Sequence, residues 1–286
     1  MRRAAAPVLP GPAQVVVIDW PSAGADPPVL QSLAIASDPW PGPMAIWRSV
    51  DGASFDLFAV AQSPARIGRT VAGLPAGPAW RFDDAASLDI ELDSGLLAAS
   101  GDAGALDMSN SLAIRHASGA WEVVGFGRSE LIGPRRWRLS RLLRGSGGRE
   151  DLAGDAIPAG STVVVIDGSL GPVAGGLSAV GASWSYRVGP ADRSVGDPTM
   201  LGFAAPVGSD ALRPLAPVAL QARRGADGVT LTWTRRSRLH ADTWDLADVP
   251  LDEASESYVV EILAGTAVKR VITTGGPVAL YPTAAE

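Results

Sequence analysis

The chain has 286 residues, a formal net charge of −6 and 47% hydrophobic residues, so it can bury a core in one large domain or two to three small ones. It has no cysteine, which excludes disulfides, thiolate zinc sites and a cysteine nucleophile. The acidic balance argues against generic nucleic-acid binding, whose affinity comes from neutralising phosphates, and no apolar run approaches the roughly twenty residues that span a bilayer.

Met1–Pro12 is too short and too Pro-broken for a signal-peptide core and reads as a linker. Beyond it, short β-branched runs bounded by Gly, Pro and Asp predict strands at 15–18, 44–48, 55–60, 87–92, 120–124, 161–166, 182–188, 218–222, 229–234, 257–263 and 268–272. Apolar residues at helical spacing are scarce, and Leu139–Leu143 supports a turn or two at most. The fold class is all-β, as several small sandwich- or barrel-like modules. Within 87–93, Leu88, Ile90 and Leu92 alternate with Asp89, Glu91 and Asp93, the pattern of a half-buried strand with a wet acidic face. That row lacks the glycine-turned loop of a calcium site and reads as solvated, so neither metal nor cofactor is expected.

Residues 13–212 read as the β-rich body, with a turn-rich break near 189–198, and 213–286 as a final module entered at Arg213-Pro-Leu-Ala-Pro217. From Leu215 onward the pattern resembles the first half of a fibronectin type III sandwich, with Trp233 in its second strand and Tyr258 opening its third. Such a sandwich takes about seven strands and roughly 100 residues, so this module is expected to be partial.

Candidate chemistry is sparse. His116, in Arg115-His-Ala-Ser-Gly119, reads as part of an exposed hairpin turn, and His240 as part of a loop. No G-x-S-x-G or H-E-x-x-H accompanies them. Asp83-Asp84 follow Trp80-Arg-Phe82, an acid pair beside aromatics that a cell-wall or sugar hydrolase could use, although core plus cap is the plainer reading. Exposed Trp40 or Trp47 could instead serve a non-catalytic glycan-binding module. Gly145-Ser-Gly-Gly148 lacks the lysine and spacing of a phosphate loop. It reads as a structural corner, anchored by Leu139, Leu142 and Leu143 and reversed by Gly145, Gly147 and Gly148. Between Arg128 and Arg149 seven arginines face Glu130 alone, and they are expected to pair with acids elsewhere in the fold or on a partner subunit. The same is expected of Arg235, Arg236 and Arg238 with Asp242, Asp245, Asp248, Asp252 and Glu253.

The segments Trp121-Glu-Val-Val-Gly-Phe126, Arg136 to Asp151, Ala159 to Asp167, Leu212 to Pro217 and Trp233 to Arg238, in that order, resemble the C-terminal part of phage tail-tip proteins, the large baseplate protein of gene transfer agents above all. The chain departs from the family pattern where Arg149 stands for a usual Thr and Gly125 for a usual Gln. The resemblance implies a non-enzymatic tail-tip or baseplate component working in a virion-like tail. Its partners would be other tail subunits, in a homo-oligomer such as a trimer, with a host-surface glycan as a further contact. Family members are longer, so a split gene, a degraded prophage copy or a fragment is expected. The residues expected to carry structure or contacts are Trp121, Arg141, Leu142, Leu143, Arg144, Gly145, Gly148, Trp233, Arg235, Arg236 and Tyr258.

Overall fold

A computed structural model describes residues 11–20, 29–98, 100–238, 248–251 and 253–283. Positions 1–10 of the expected linker, His240, Asp242, Asp245 and Asp252 lie outside the described residues. The chain forms two compact units that divide between Leu212 and Arg213.

The first unit opens with strands β1 (Gln14–Ile18), β2 (Val29–Ala36), β3 (Met44–Ser49), β4 (Asp56–Ala61), β5 (Ile67–Thr70) and β6 (Asp83–Leu92). A short helix, α1 (Gly101–Leu106), precedes β7 (Ser111–Arg115), β8 (Trp121–Gly133) and β9 (Arg136–Ser146). The one-turn helix α2 (Glu150–Ala153) leads to β10 (Thr162–Val165), β11 (Gly171–Ala174), β12 (Ser183–Pro190) and β13 (Leu201–Pro206), and a 3-10 turn, Asp210–Leu212, ends the unit. The turn-rich stretch 189–198 carries the end of β12 and the loop into β13.

Three sheets build this unit. Six strands close a barrel in the order β10-β5-β6-β9-β8-β7, β1-β2-β11 form a three-stranded sheet, and β13-β12-β3-β4 a four-stranded one. Closure removes the free strand edges of the barrel. Its interior is filled by Leu88, Ile90 and Leu92 of β6, Val124 and Phe126 of β8, Trp137, Leu139 and Leu142 of β9, and neighbours. The expected alternation of 87–92 is present, with its apolar residues inward.

The β1-β2-β11 sheet is shared. One face, with Ile18, Ala34 and Ala36, packs on the outside of the barrel against Ile67, Ala113, Trp121 and Val164. The other, with Leu33, Ile35 and Val173, packs on Met44, Ile46, Tyr186 and Val188 of the four-stranded sheet. A strand covered on both faces loses the alternation of polar and apolar residues, so residues 30–36 of β2 read Leu-Gln-Ser-Leu-Ala-Ile-Ala and are all buried.

Each of the eleven predicted stretches overlaps a strand, overrunning it by no more than one residue at either end. The reading of Leu139–Leu143 as a helical turn or corner is corrected: it is the middle of β9, hydrogen-bonded to β6 on one side and β8 on the other. Cross-strand pairing overrides the weak local pattern.

The second unit contains β14 (Val218–Gly225), β15 (Gly228–Thr234), β16 (Tyr258–Ala264), β17 (Ala267–Thr274) and β18 (Val278–Pro282). They form a β14-β15-β18 sheet and a β16-β17 hairpin. Trp233 on β15 meets Tyr258 on β16 edge to face, with ring centroids 5.0 Å apart. Tyr258, Val260 and Ile262 are half-buried while Val259, Glu261 and Leu263 are exposed.

Phe126 is among the largest fully buried side chains of the barrel. Phe126→Ala is expected to cost about 3–5 kcal/mol, read as a lowered denaturation midpoint with an unchanged slope.

Candidate functional site

The site begins with an irregularity in β9. Trp137 and Leu139 point inward and Arg136 and Arg138 outward, so strict alternation would send Arg141 and Leu143 into the core. Arg141 instead adopts a left-handed backbone with φ 56°, and the buried positions that follow are Leu142 and Arg144. One residue out of phase exchanges the two faces of a strand. A non-glycine residue in this conformation costs roughly 1–2 kcal/mol. Contacts outside the barrel offset it: Arg141 bonds both oxygens of Asp102 and of Asp84, at 2.7 Å to Asp102 Oδ2 and 2.8 Å to Asp84 Oδ2, and its guanidinium lies 4.5 Å over the Phe82 ring. These hydrogen bonds hold the Asp102 carboxyl below its ordinary range.

The slip delivers Arg144 to a carboxylate. Glu122 shares the interior face of β8 with Val124 and Phe126 and is fully buried. Arg144 grips it with both prongs, Nε to Oε1 at 2.6 Å and Nη2 to Oε2 at 2.7 Å. The Gly145 amide donates to Oε1 at 2.9 Å and His116 Nε2 lies 2.7 Å from Oε2. A carboxylate only accepts, so that imidazole nitrogen carries a proton. The remaining Arg144 donors reach the carbonyls of Pro75 at 2.9 Å, Asp155 at 3.1 Å and Leu152 at 3.4 Å.

One sealed centre therefore ties the β7–β8 hairpin, β9, the segment before β6 and the α2 region together. Burial pushes the Glu122 carboxyl up, but hydrogen bonds from His116 and Arg144 and their charges outweigh it and hold the group below its ordinary value. Gly145 is obligatory here. Its φ is 68°, and a β-carbon would fall 2.7 Å from the Glu150 α-carbon.

Outside the barrel, the acidic row of β6 faces arginines in register. Asp89 pairs with Arg138 at 2.7 Å, and Glu91 with Arg69 at 3.2 Å and Arg136 at 3.3 Å. Asp93 contributes its backbone carbonyl to Arg135 at 3.1 Å. The face expected to be solvated is thus a charge-paired ladder. Hydrogen bonds from Arg138 hold Asp89 below its ordinary range. Among the described residues, no group of three or more His, Asp or Glu side chains is placed to hold a metal ion. No helix among them is long and apolar enough to cross a membrane.

Several sequence readings are corrected. His116 lies in a hairpin turn, but its side chain is buried because Glu122 draws it inward. Trp40 and Trp47 are half-buried rather than exposed, and Trp40 packs on the core between the two sheets. Asp83 and Asp84 do not act as a pair. Asp83 accepts from the amides of Ala85 and Ala86, and Asp84 binds Arg141. Trp121 is buried against the shared sheet, Leu143 is half-buried, and Gly148 reverses the chain with φ 93°.

In the second unit Arg235 bonds Asp248 at 3.0 Å and Glu256 at 3.1 Å. Arg236 reaches the Ala216 carbonyl at 2.7 Å, and Arg238 pairs with Glu253 at 2.7 Å. Sequence reasoning missed Glu122. The available signal was a single acid in phase with the inward positions of an apolar strand, Trp121-Glu-Val-Val-Gly-Phe126.

A family described as Rcc01698-like, C-terminal, matches residues 65–164, about a third of the chain. The family is associated with gene transfer agent proteins. The match runs from Ala65, just before β5, to Val164 in β10, the last strand that closes the barrel. It takes in the Trp121–Phe126 and Arg136–Asp151 motifs, whereas Leu212–Pro217 and Trp233–Arg238 lie beyond it. No curated protein matches the chain.

Arg144→Ala leaves Glu122 buried without its main partner and is expected to destabilise the barrel by about 3–5 kcal/mol. Arg141→Ala, whose partners are largely exposed, should cost no more than about 1 kcal/mol. Urea titration of both variants checks the contrast. Because the folded Glu122 is the stronger acid, its contribution is complete above the unfolded value near pH 4.5 and is lost as pH falls through the lower folded value. Glu122→Gln is therefore expected to lose more stability relative to the native chain at pH 7 than at pH 3, measured by thermal melts at the two pH values.

Proposed function

We propose that the chain is a structural component of a phage-like tail tip or baseplate, of gene transfer agent or prophage type, in which the barrel is a rigid building block. The observation that carries this reading is the coincidence of the family match with the closed barrel and its polar centre. A scaffold needs a block that keeps its shape under load, and a bidentate ion pair with every arm engaged resists local opening.

The chemistry of the interior supports a non-enzymatic role. Glu122, His116 and Arg144 combine the residue types of an acid–base site, yet their side chains are at most 3% exposed and are engaged with one another. The glycan-binding alternative rested on exposed Trp40 and Trp47, and both are half-buried. In the proposed tail the partners are other baseplate subunits and further copies of this chain, where symmetry repeats one modest contact several times.

Immunogold labelling of purified particles with an antibody to this chain tests the reading. Label confined to the tail tip, with tipless particles from cells lacking the gene, is the expected result. Particles that are intact and infective without the chain would refute it.

A further inference from the structure

Asp19 follows β1 directly. Ile18 pairs with Ser32 in the antiparallel register, so the next step sets Asp19 against Gln31 of β2, and the two residues line one groove together with Asp210. Gln31 is 2% exposed, and its Nε2 donates to the Pro206 carbonyl at 2.6 Å. Its Oε1 has no hydrogen-bond partner and no solvent access, and the same is true of Asp19 Oδ1. Two buried acceptors at neighbouring positions, both unsatisfied, cost about 1–3 kcal/mol each.

The surroundings decide what satisfies them. The backbone amides of Asp210 and Ala211 lie beside the Asp19 carboxyl, and its Oδ2 fills the space that any side chain at Gly208 would occupy. The charged groups facing it are Asp210, which repels its charge, and Arg149, which attracts it. Arg149 is already bonded to Asp210 at 2.5 Å and Asp151 at 3.3 Å. Arg115 also lines the groove, from β7. An outside ligand cannot reach oxygens that have no accessible surface. What can sit between two acceptors there is a proton.

We propose that Asp19 is held as the neutral acid, its hydroxyl donating to Gln31 Oε1, and that this carboxyl is a proton-dependent latch between the β1–β2 pair and the Asp210–Leu212 turn that lies against it. Protonation converts one of the two acceptors into a donor and cancels the repulsion from Asp210. Burial, then the charge of Asp210, pushes the Asp19 carboxyl up to about 6 against the pull of Arg149. A carboxyl whose folded value is raised stabilises the fold at low pH. That contribution is lost as pH climbs from the unfolded value near 4 to about 6. The latched turn is the last element before the second unit begins at Arg213.

A carbon-13 NMR titration of the Asp19 carboxyl in the full chain reads the proton directly. The expected midpoint is near 6, moved lower in Gln31→Met; a midpoint near 4, or one that Gln31→Met leaves in place, overturns the proposal. Asp19→Asn supplies a permanent donor to Gln31. Its melting temperature relative to the native chain should therefore rise between pH 4 and pH 7, and a difference that stays flat over that range also overturns it.

Discussion

The barrel depends on one carboxylate that water cannot reach. An ionised Glu122 in an apolar interior would be costly unless every oxygen lone pair had a donor, and the fold supplies four: two from Arg144, one from the Gly145 amide and one from His116. Those donors come from two separate parts of the chain, the turn after β7 and the end of β9, and meet an acid on β8, so the carboxylate cannot be satisfied until β7, β8 and β9 are all in register. The same requirement acts on Arg144, whose other arms need the carbonyls of Pro75, Leu152 and Asp155. A polar centre of this kind specifies one arrangement, because a partly satisfied network is worse than none.

Much of the local irregularity of β9 follows from serving that centre. The left-handed Arg141 shifts the strand's phase so that Leu142 and Arg144, rather than Arg141 and Leu143, face inward. The left-handed Gly145 then turns the chain to bring its amide onto Glu122. Arg141 is left outside to bind Asp84 and Asp102. Arg138, Arg141, Arg144 and Arg149, gathered beside three glycines as the cations of an anion site would be, are thus spent on the protein's own acids. The family match ends where the barrel closes.

The all-β class and eleven strands were legible because they alternate or carry dense β-branched runs. β2 was hidden by burial on both faces, which erases alternation, and β9 by a phase slip that breaks it in the middle. The arginine pairing was legible as an excess of seven cations over Glu130, but their partners were not. Asp84, Asp89, Glu91, Asp102, Glu122 and Asp210 lie 22 to 61 residues away in sequence. His116 was misread for the same reason: its turn is local and visible, whereas the acid that draws its side chain inward is recognised as buried only from the strand phase. The partial resemblance of the last module to a fibronectin type III sandwich did place Trp233 and Tyr258 on successive strands, where their rings meet.

The central claim is that Glu122 and Arg144 act as one unit on which the barrel depends. A double-mutant cycle with the near-isosteric replacements Glu122→Leu and Arg144→Met, followed by chemical denaturation, tests it most directly. The account predicts that each single change is severe, at about 3–5 kcal/mol, and that the double variant recovers well over 1 kcal/mol of the summed loss because no charge is left buried alone. Losses that add to within about 0.5 kcal/mol would show the two residues to be independent and would contradict the account.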